Sequence, residues 1–386
     1  MSERPSPEKI PQVGRTAIGG YARFSITILV TVFAAGACGP KLKPLPPGEG
    51  LTEKERIDMI GRGSVWSAVD VKSFDFKLGP PGTKSFAPSE LITCEYVHKV
   101  MNGKSPKFTC TTADGDELKV KYGERNPEVY GEVLATRLFA ALGFPADHMY
   151  PVRVKCTGCS SDPWKLGPKP GGEEMFDPAA IEQKLPGQAI EIAEGSGWKW
   201  AELDIVAPDA PPDERIHRDA LKLLGAFIQH GDSKPDNQRI LCPKGQRVGR
   251  TGCRAPILMV HDLGLTFGKA DLFDKSKNSV SFADWSKVPV WKDRDKCIAE
   301  IKGPFFGGLA NPRISEAGRA FLADLLNQIS DDQLRDLFET ARIEVRSSDP
   351  SANPAKDKPP VSVDEWIKLF RSKRAQITEH SCKPAE

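Results

Sequence analysis

The eight cysteines downstream of residue 38 constrain this chain more than any other feature; they stand at 94, 110, 156, 159, 242, 253, 297 and 382. Local spacing pairs Cys94 with Cys110 across one hairpin and Cys242 with Cys253 across a second, while Cys297 with Cys382 ties the tail back. Cys156-Thr157-Gly158-Cys159 closes a tight loop. A bridge over a short hairpin stabilises by roughly 3 kcal/mol in chain-entropy terms. Zinc is the competing use of a Cys-x-x-Cys pair, but a zinc ribbon takes two such pairs and this chain has one. Connectivity itself is not contained in a cysteine count. Crosslinked cysteines place the body in an oxidising compartment.

The N-terminus agrees with export. Residues 1–23 are polar, and FSITILVTVFAAGA (24–37) is an uncharged apolar run ending at Cys38. A membrane-spanning helix needs about 20 such residues, whereas this length suits the apolar region of a signal peptide. Ala35-Gly36-Ala37 before Cys38 resembles a bacterial lipoprotein signal, with Ala34 in place of the usual leucine. The resemblance implies a lipidated Cys38 as membrane anchor, and an exported body on the periplasmic or cell-surface side. An ordinary cleaved signal or an uncleaved short anchor are the alternatives. Residues 1–38 form this segment, and 39–60, opening on GPKLKPLPPGEG, read as a Pro/Gly-rich tether.

Composition excludes some classes. Hydrophobic residues at 39% and charged residues at 27% describe a globular chain rather than a disordered or polytopic one. The 54 cations nearly cancel 52 anions, which leaves no electrostatic case for nucleic acid.

Periodicity divides the body. LITCEYV, KFTCTT and LKVKYG are β-prone runs; HKVMNGKSP is a turn-rich connection and ADGDE carries an Asp-Gly hairpin signal. Over 126–144 the period becomes helical, with Val129, Val133, Leu134, Leu138, Ala141 and Leu142 on one face and Gly143 as the stop. MYPVRVKC is another strand, 160–188 a Pro/Gly-rich connection, and QAIEIAEG a short strand. Residues 213–229 form an amphipathic helix; RILC and APILMV flank a cationic hairpin tip, and 315–345 is helical, with Ser330 capping a second segment. Trp198 and Trp200 are expected to pack in the core of the second lobe, with a nucleotide or substrate wall as the alternative, and His261 to serve packing rather than to bind a metal.

One polar cluster interrupts this pattern. His230-Gly231-Asp232-Ser233-Lys234-Pro235-Asp236-Asn237 follows the amphipathic helix directly. Taken alone it is a turn, since Gly, Ser, Pro, Asp and Asn are all turn formers. Its His-x-Asp-x-Lys-x-x-Asn spacing resembles the catalytic loop of protein kinases and kinase-like enzymes. Asp262-Leu263-Gly264 resembles their metal-binding Asp-Phe-Gly, and Leu118-Lys119-Val120-Lys121 the strand whose last lysine holds the nucleotide phosphates. Glu132 resembles that lysine's ion-pair partner.

The resemblance implies a two-lobed α+β protein-kinase-like fold, with a β-rich N-lobe holding one helix (61–190) and a helical C-lobe (191–386). It implies ATP and Mg²⁺ as cofactors and a protein or small-molecule hydroxyl as acceptor. Asp232 is then the base and Lys234 the γ-phosphate contact. Asn237 and Asp262 are the magnesium ligands, and Lys121 with Glu132 the phosphate clamp, Lys119 being a rival for the lysine role. GEVLATRLFAALGF resembles the helix of bacterial proteins related to phosphatidylinositol 3/4-kinases and HipA-type kinases. There is no Gly-x-Gly-x-x-Gly loop, KLGPPGTKSF (77–86) being the nearest candidate, and no Ala-Pro-Glu follows Asp262. An exported pseudokinase that binds a ligand or partner is the alternative, as is transfer of AMP.

Overall fold

The computed structural model describes residues 51–382, apart from 83, 102, 104, 191–196, 250–251, 269–278, 303–307, 351 and 353–358. The signal segment, Cys38 and the first part of the tether lie outside the described residues. The end of the tether does not: α1 (Glu53–Arg62) begins at a capping box between Thr52 and Glu55 and buries Arg56, Met59 and Ile60. Arg56 pairs with Glu202 at 2.6 Å, both side chains withdrawn from solvent. Residues 53–60 therefore belong to the folded body, because an amphipathic turn with a buried cation partner is worth more packed than solvated.

The sheet-rich lobe is a closed barrel in the order β1-β2-β3-β5-β4. Its strands are β1 (Glu90–Val97), β2 (Lys107–Thr111), β3 (Glu117–Tyr122), β4 (His148–Cys159) and β5 (Pro168–Gln183). The 16-residue β5 corrects the expected loop over 160–188. Backbone pairing with β3 on one side and β4 on the other overrides its turn-prone composition. Pro178 is tolerated at a bulge, where Asp177 and Pro178 together oppose Arg153. Between β3 and β4 runs α2 (Glu128–Ala141), buried around nearly its whole circumference rather than on one face. A short helix, α3 (Pro163–Leu166), links β4 to β5.

The helical lobe follows β6 (Gln188–Ala189), all that is described of the strand expected at 188–195. Its helix α4 (Glu214–Phe227) delivers the chain to the polar loop. Beyond the loop, β7 (Gln238–Cys242) and β10 (Ile257–Val260) pair antiparallel, with β8 (Arg247–Val248) and β9 (Gly252–Cys253) forming the hairpin tip between them. Then come α5 (Phe282–Lys287), β11 (Trp291–Asp293), β12 (Ile298–Ala299), α6 (Glu316–Asn327), α7 (Asp331–Thr340), α8 (Ile343–Ser348) and α9 (Val363–Thr378). Ser330 caps α7 in a capping box with Gln333.

The result is the two-lobed α+β class expected from sequence. One apolar cluster joins α2 to the helical lobe and a second fills the barrel. Trp198 and Trp200 are both buried, and the Trp198 indole N–H donates to the carbonyls of Arg239 and Met259 at 3.1 and 3.2 Å. The cysteines are bonded as Cys94–Cys110, Cys156–Cys159, Cys242–Cys253 and Cys297–Cys382, so the Cys-x-x-Cys pair is a disulfide and not half a zinc site. Among the described residues no helix is long and apolar enough to cross a membrane.

Candidate active site

The loop after α4 is fixed by its own backbone bonds before any ligand arrives. Gln229 takes a left-handed φ of 54°, which turns the chain out of the helix. Its side-chain amide donates to the carbonyls of Ala226 and Glu300 at 2.8 and 2.6 Å. Gly231 N–H donates to Leu265 O at 3.0 Å, and Ser233 Oγ accepts from Leu309 N–H at 2.8 Å. His230 is wholly buried with neither ring nitrogen bonded, and desolvation pushes its pKa down to about 4, so the imidazole is neutral.

Within that frame the Lys234 ammonium lies 2.7 Å from both carboxylate oxygens of Asp232. Pro235–Asn237 form one 3₁₀ turn, which closes the loop and brings Asn237 under the start of the next segment. The Asn237 amide N–H donates to Asp232 O, and its own carbonyl accepts from the backbone of His261 at 2.7 Å and Asp262 at 3.3 Å. The two acidic segments, distant in sequence, are thus joined by main-chain bonds through Asn237.

A second cluster stands where the lobes meet. Lys121 Nζ lies 2.6 Å from Glu132 Oε1 and 2.9 Å from Glu128 Oε2. Burial opposes the Lys121 charge, but Glu128, Glu132 and Asp262 together hold its pKa well above the ordinary lysine value. Asp262 is pushed the other way. Despite its burial, the Lys121 charge and an N–H bond from Gly264 at 2.9 Å hold its carboxyl below the usual carboxylate range. Burial, with Asp262 and Glu128 adding to it, raises Glu132 well above a normal glutamate against the pull of Lys121. Among the described residues no N–H or O–H donor reaches Glu132 Oε2, and the Glu132 carboxyl neighbours the Asp262 carboxylate. Lys119, the rival clamp lysine, is instead paired to Glu182.

Three contributors were not legible from the motif. Glu128 sits one turn before Glu132 and shares Lys121. Lys107 lies directly across the β2–β3 ladder from Lys121; burial and the neighbouring Lys121 charge lower its pKa. Ser105 Oγ donates to Glu128 from the β1–β2 connection, which the sequence presents only as a turn. The one available signal was the strand register, since a hairpin closing at Asp114-Gly115 places 107 opposite 121. The glycine-bearing stretch 77–86 is not part of this site. Gly79 packs against the Arg137 guanidinium, and the Pro80 carbonyl accepts from the Tyr150 hydroxyl at 2.7 Å.

Three carboxyl groups, Glu132 buried and Glu128 and Asp262 partly so, facing two lysines can hold phosphates and a divalent cation, and a nearby carboxylate–lysine pair can handle a hydroxyl proton. No protein-family model and no curated protein matches the chain. Among solved structures, the Helicobacter pylori proinflammatory kinase CtkA aligns at 10% identity and TM-score 0.37, over 76% of this chain and 96% of that one. The Golgi casein kinase with Mn/ADP bound aligns at 12% and 0.34, over 83% and 78%. The Rio2 kinase-ADP/Mg²⁺-phosphoaspartate complex from Chaetomium thermophilum aligns at 11% and 0.25, over 64% and 70%.

Proposed function

We propose that the chain is an atypical kinase-like phosphotransferase that moves the γ-phosphate of ATP to a hydroxyl of a protein or small molecule. The observation that carries this is the buried Lys121–Glu132 pair beside a half-buried carboxylate, Asp262, that the Lys121 charge and the Gly264 N–H hold in its charged form. Structural ion pairs are normally left at the surface, because burying unbalanced charge is costly without a ligand to share it.

The donors fit a magnesium–nucleotide complex. Glu128 and Glu132 both converge on Lys121, and Glu132, whose carboxyl burial and its acidic neighbours push towards the protonated form, would give up that proton to a cation beside it. Asp262 and Asn237 would hold the cation, with Glu132 at its edge. The cation would neutralise charge on the transferring phosphoryl group. Lys121 is pre-aimed by two carboxylates to grip phosphate oxygens. The Gly264 N–H holds the Asp262 carboxylate in place. With its amide nitrogen donated to Asp232 O, Asn237 has its amide oxygen to offer. Asp232, on a rigid loop, accepts the acceptor hydroxyl's proton, and Lys234 is near enough to swing from Asp232 to a phosphate oxygen.

We read the body as exported, supported by four bonded cysteine pairs, with a lipid on Cys38 as the anchor. The decisive experiment is thermal melting of the full chain with millimolar Mg-ATP. A rise of several degrees that disappears in Asp262→Ala supports the enzyme. No rise with any nucleotide would leave a partner-binding pseudokinase in its place.

A further inference from the structure

A third polar cluster lies at the hinge between the lobes, apart from the groups just described. Asp147 precedes β4, Glu182 stands near the end of β5, and His261 follows β10. One ligating atom from each lies within 4.8 Å of the other two. His261 Nδ1 is 2.6 Å from Asp147 Oδ2, and Asp147 Oδ1 is held by the Leu185 N–H at 2.8 Å. Glu182 gives one oxygen to Lys119. Its other oxygen, Oε1, is buried with no partner at all, on a side chain only 6% exposed.

An unpartnered carboxylate oxygen in the interior costs free energy that a fold normally avoids. Asp147 and Glu182 bring two carboxyl groups to the cluster against the single ammonium of Lys119. His261 remains partly open to solvent, its side chain 22% exposed, which provides access.

We propose that Asp147, Glu182 and His261 form a second cation site, for a borderline divalent ion of the zinc or manganese kind. An imidazole beside two carboxylates favours such ions, whereas magnesium prefers a shell of oxygens alone. The ligands come from both lobes: Asp147 and Glu182 from the sheet-rich lobe, His261 from the strand that leads to Asp262. A bound ion would brace the hinge and set how far the cleft between Lys121 and Asp262 opens.

The test is calorimetric titration of the chelator-stripped full chain with zinc chloride, and separately with manganese chloride, followed by melting of each ion-loaded form. Wild type should bind one equivalent at this site and melt higher. The isosteric Glu182→Gln should weaken that binding at least about tenfold, and His261→Asn, at a partly exposed position, should do the same. Asp262→Asn should leave it within about twofold, because Asp262 belongs to the other set. Ion-free melting temperatures check that each variant folds, and two separate substitutions mean that one misfolded variant does not decide the matter. Wild type that takes up neither ion, variants that bind like wild type, or complete loss of binding in Asp262→Asn would each overturn the proposal.

Discussion

Lys121 Nζ and Glu132 Oε1 lie 2.6 Å apart with side chains only 3% and 4% exposed, the most completely desolvated lysine–carboxylate pair among the described residues. Removing one partner of such a pair strands the other, at a typical cost of 3–5 kcal/mol. Lys121→Met should therefore both abolish phosphoryl transfer and lower unfolding free energy by roughly that amount. Glu132→Gln, which leaves Lys121 its other carboxylate partner Glu128 at 2.9 Å, should lose most activity at a smaller cost in urea unfolding than Lys121→Met.

Asp232 occupies a different position. Among the described residues its carboxylate pairs with the loop's own Lys234, so Asp232→Asn should melt within a few degrees of wild type. If it accepts the hydroxyl proton, kcat should fall by about 10²–10⁴ with the KM for ATP little changed. A parallel rise in KM would instead make Asp232 a binding residue.

The buried His230 gives a signed pH dependence. Its folded pKa is pushed down to about 4 from 6.5. Between those values the unfolded chain takes up a proton that the folded one refuses, so stability is full above about pH 6.5 and falls as pH drops toward 4. The loss approaches about 3 kcal/mol for this group. His148 and His217 are also lowered by burial and act in the same direction. The difference in slope between wild type and His230→Leu in urea unfolding at pH 7 and 4.5 isolates the share of His230. Equal slopes would refute it.

The disulfides rank by the length of chain that each closes. Cys297–Cys382 spans 85 residues and Cys242–Cys253 spans 11. Chain-entropy arguments assign them about 4–5 and about 3 kcal/mol. The double serine variant of the long pair should unfold at lower denaturant than that of the short pair. Thiol titration of the exported protein under denaturing, non-reducing conditions should find none of the eight cysteines reactive.

Lys107 separates clamp from chemistry. It is buried opposite Lys121 and its charge is opposed by that neighbour. Lys107→Met should raise the KM for Mg-ATP severalfold with a smaller effect on kcat, and should not lower stability as Lys121→Met does, because it relieves a like-charge contact.

Much of this was written locally. Cysteine spacing, the Asp-Gly hairpin, the periods of α2 and α4 and the Ser330 cap are properties of short stretches, and short stretches determine them. The order Lys121, Glu132, Asp232, Asn237, Asp262 is likewise visible along the chain. Distance in sequence is what hid the rest. The long strand β5 exists only because β3 and β4 offer it hydrogen bonds on both edges, which outweighs its prolines and glycines. Lys119 and Lys121 share a face of one strand, and only the arrival of Glu182 beside one and of Glu128, Glu132 and Asp262 beside the other gives them separate partners. Asp147, Glu182 and His261 carry no motif at all. Their carboxylates and imidazole acquire a common purpose only when the hinge folds them within reach of one another, where low dielectric makes an unshared charge expensive.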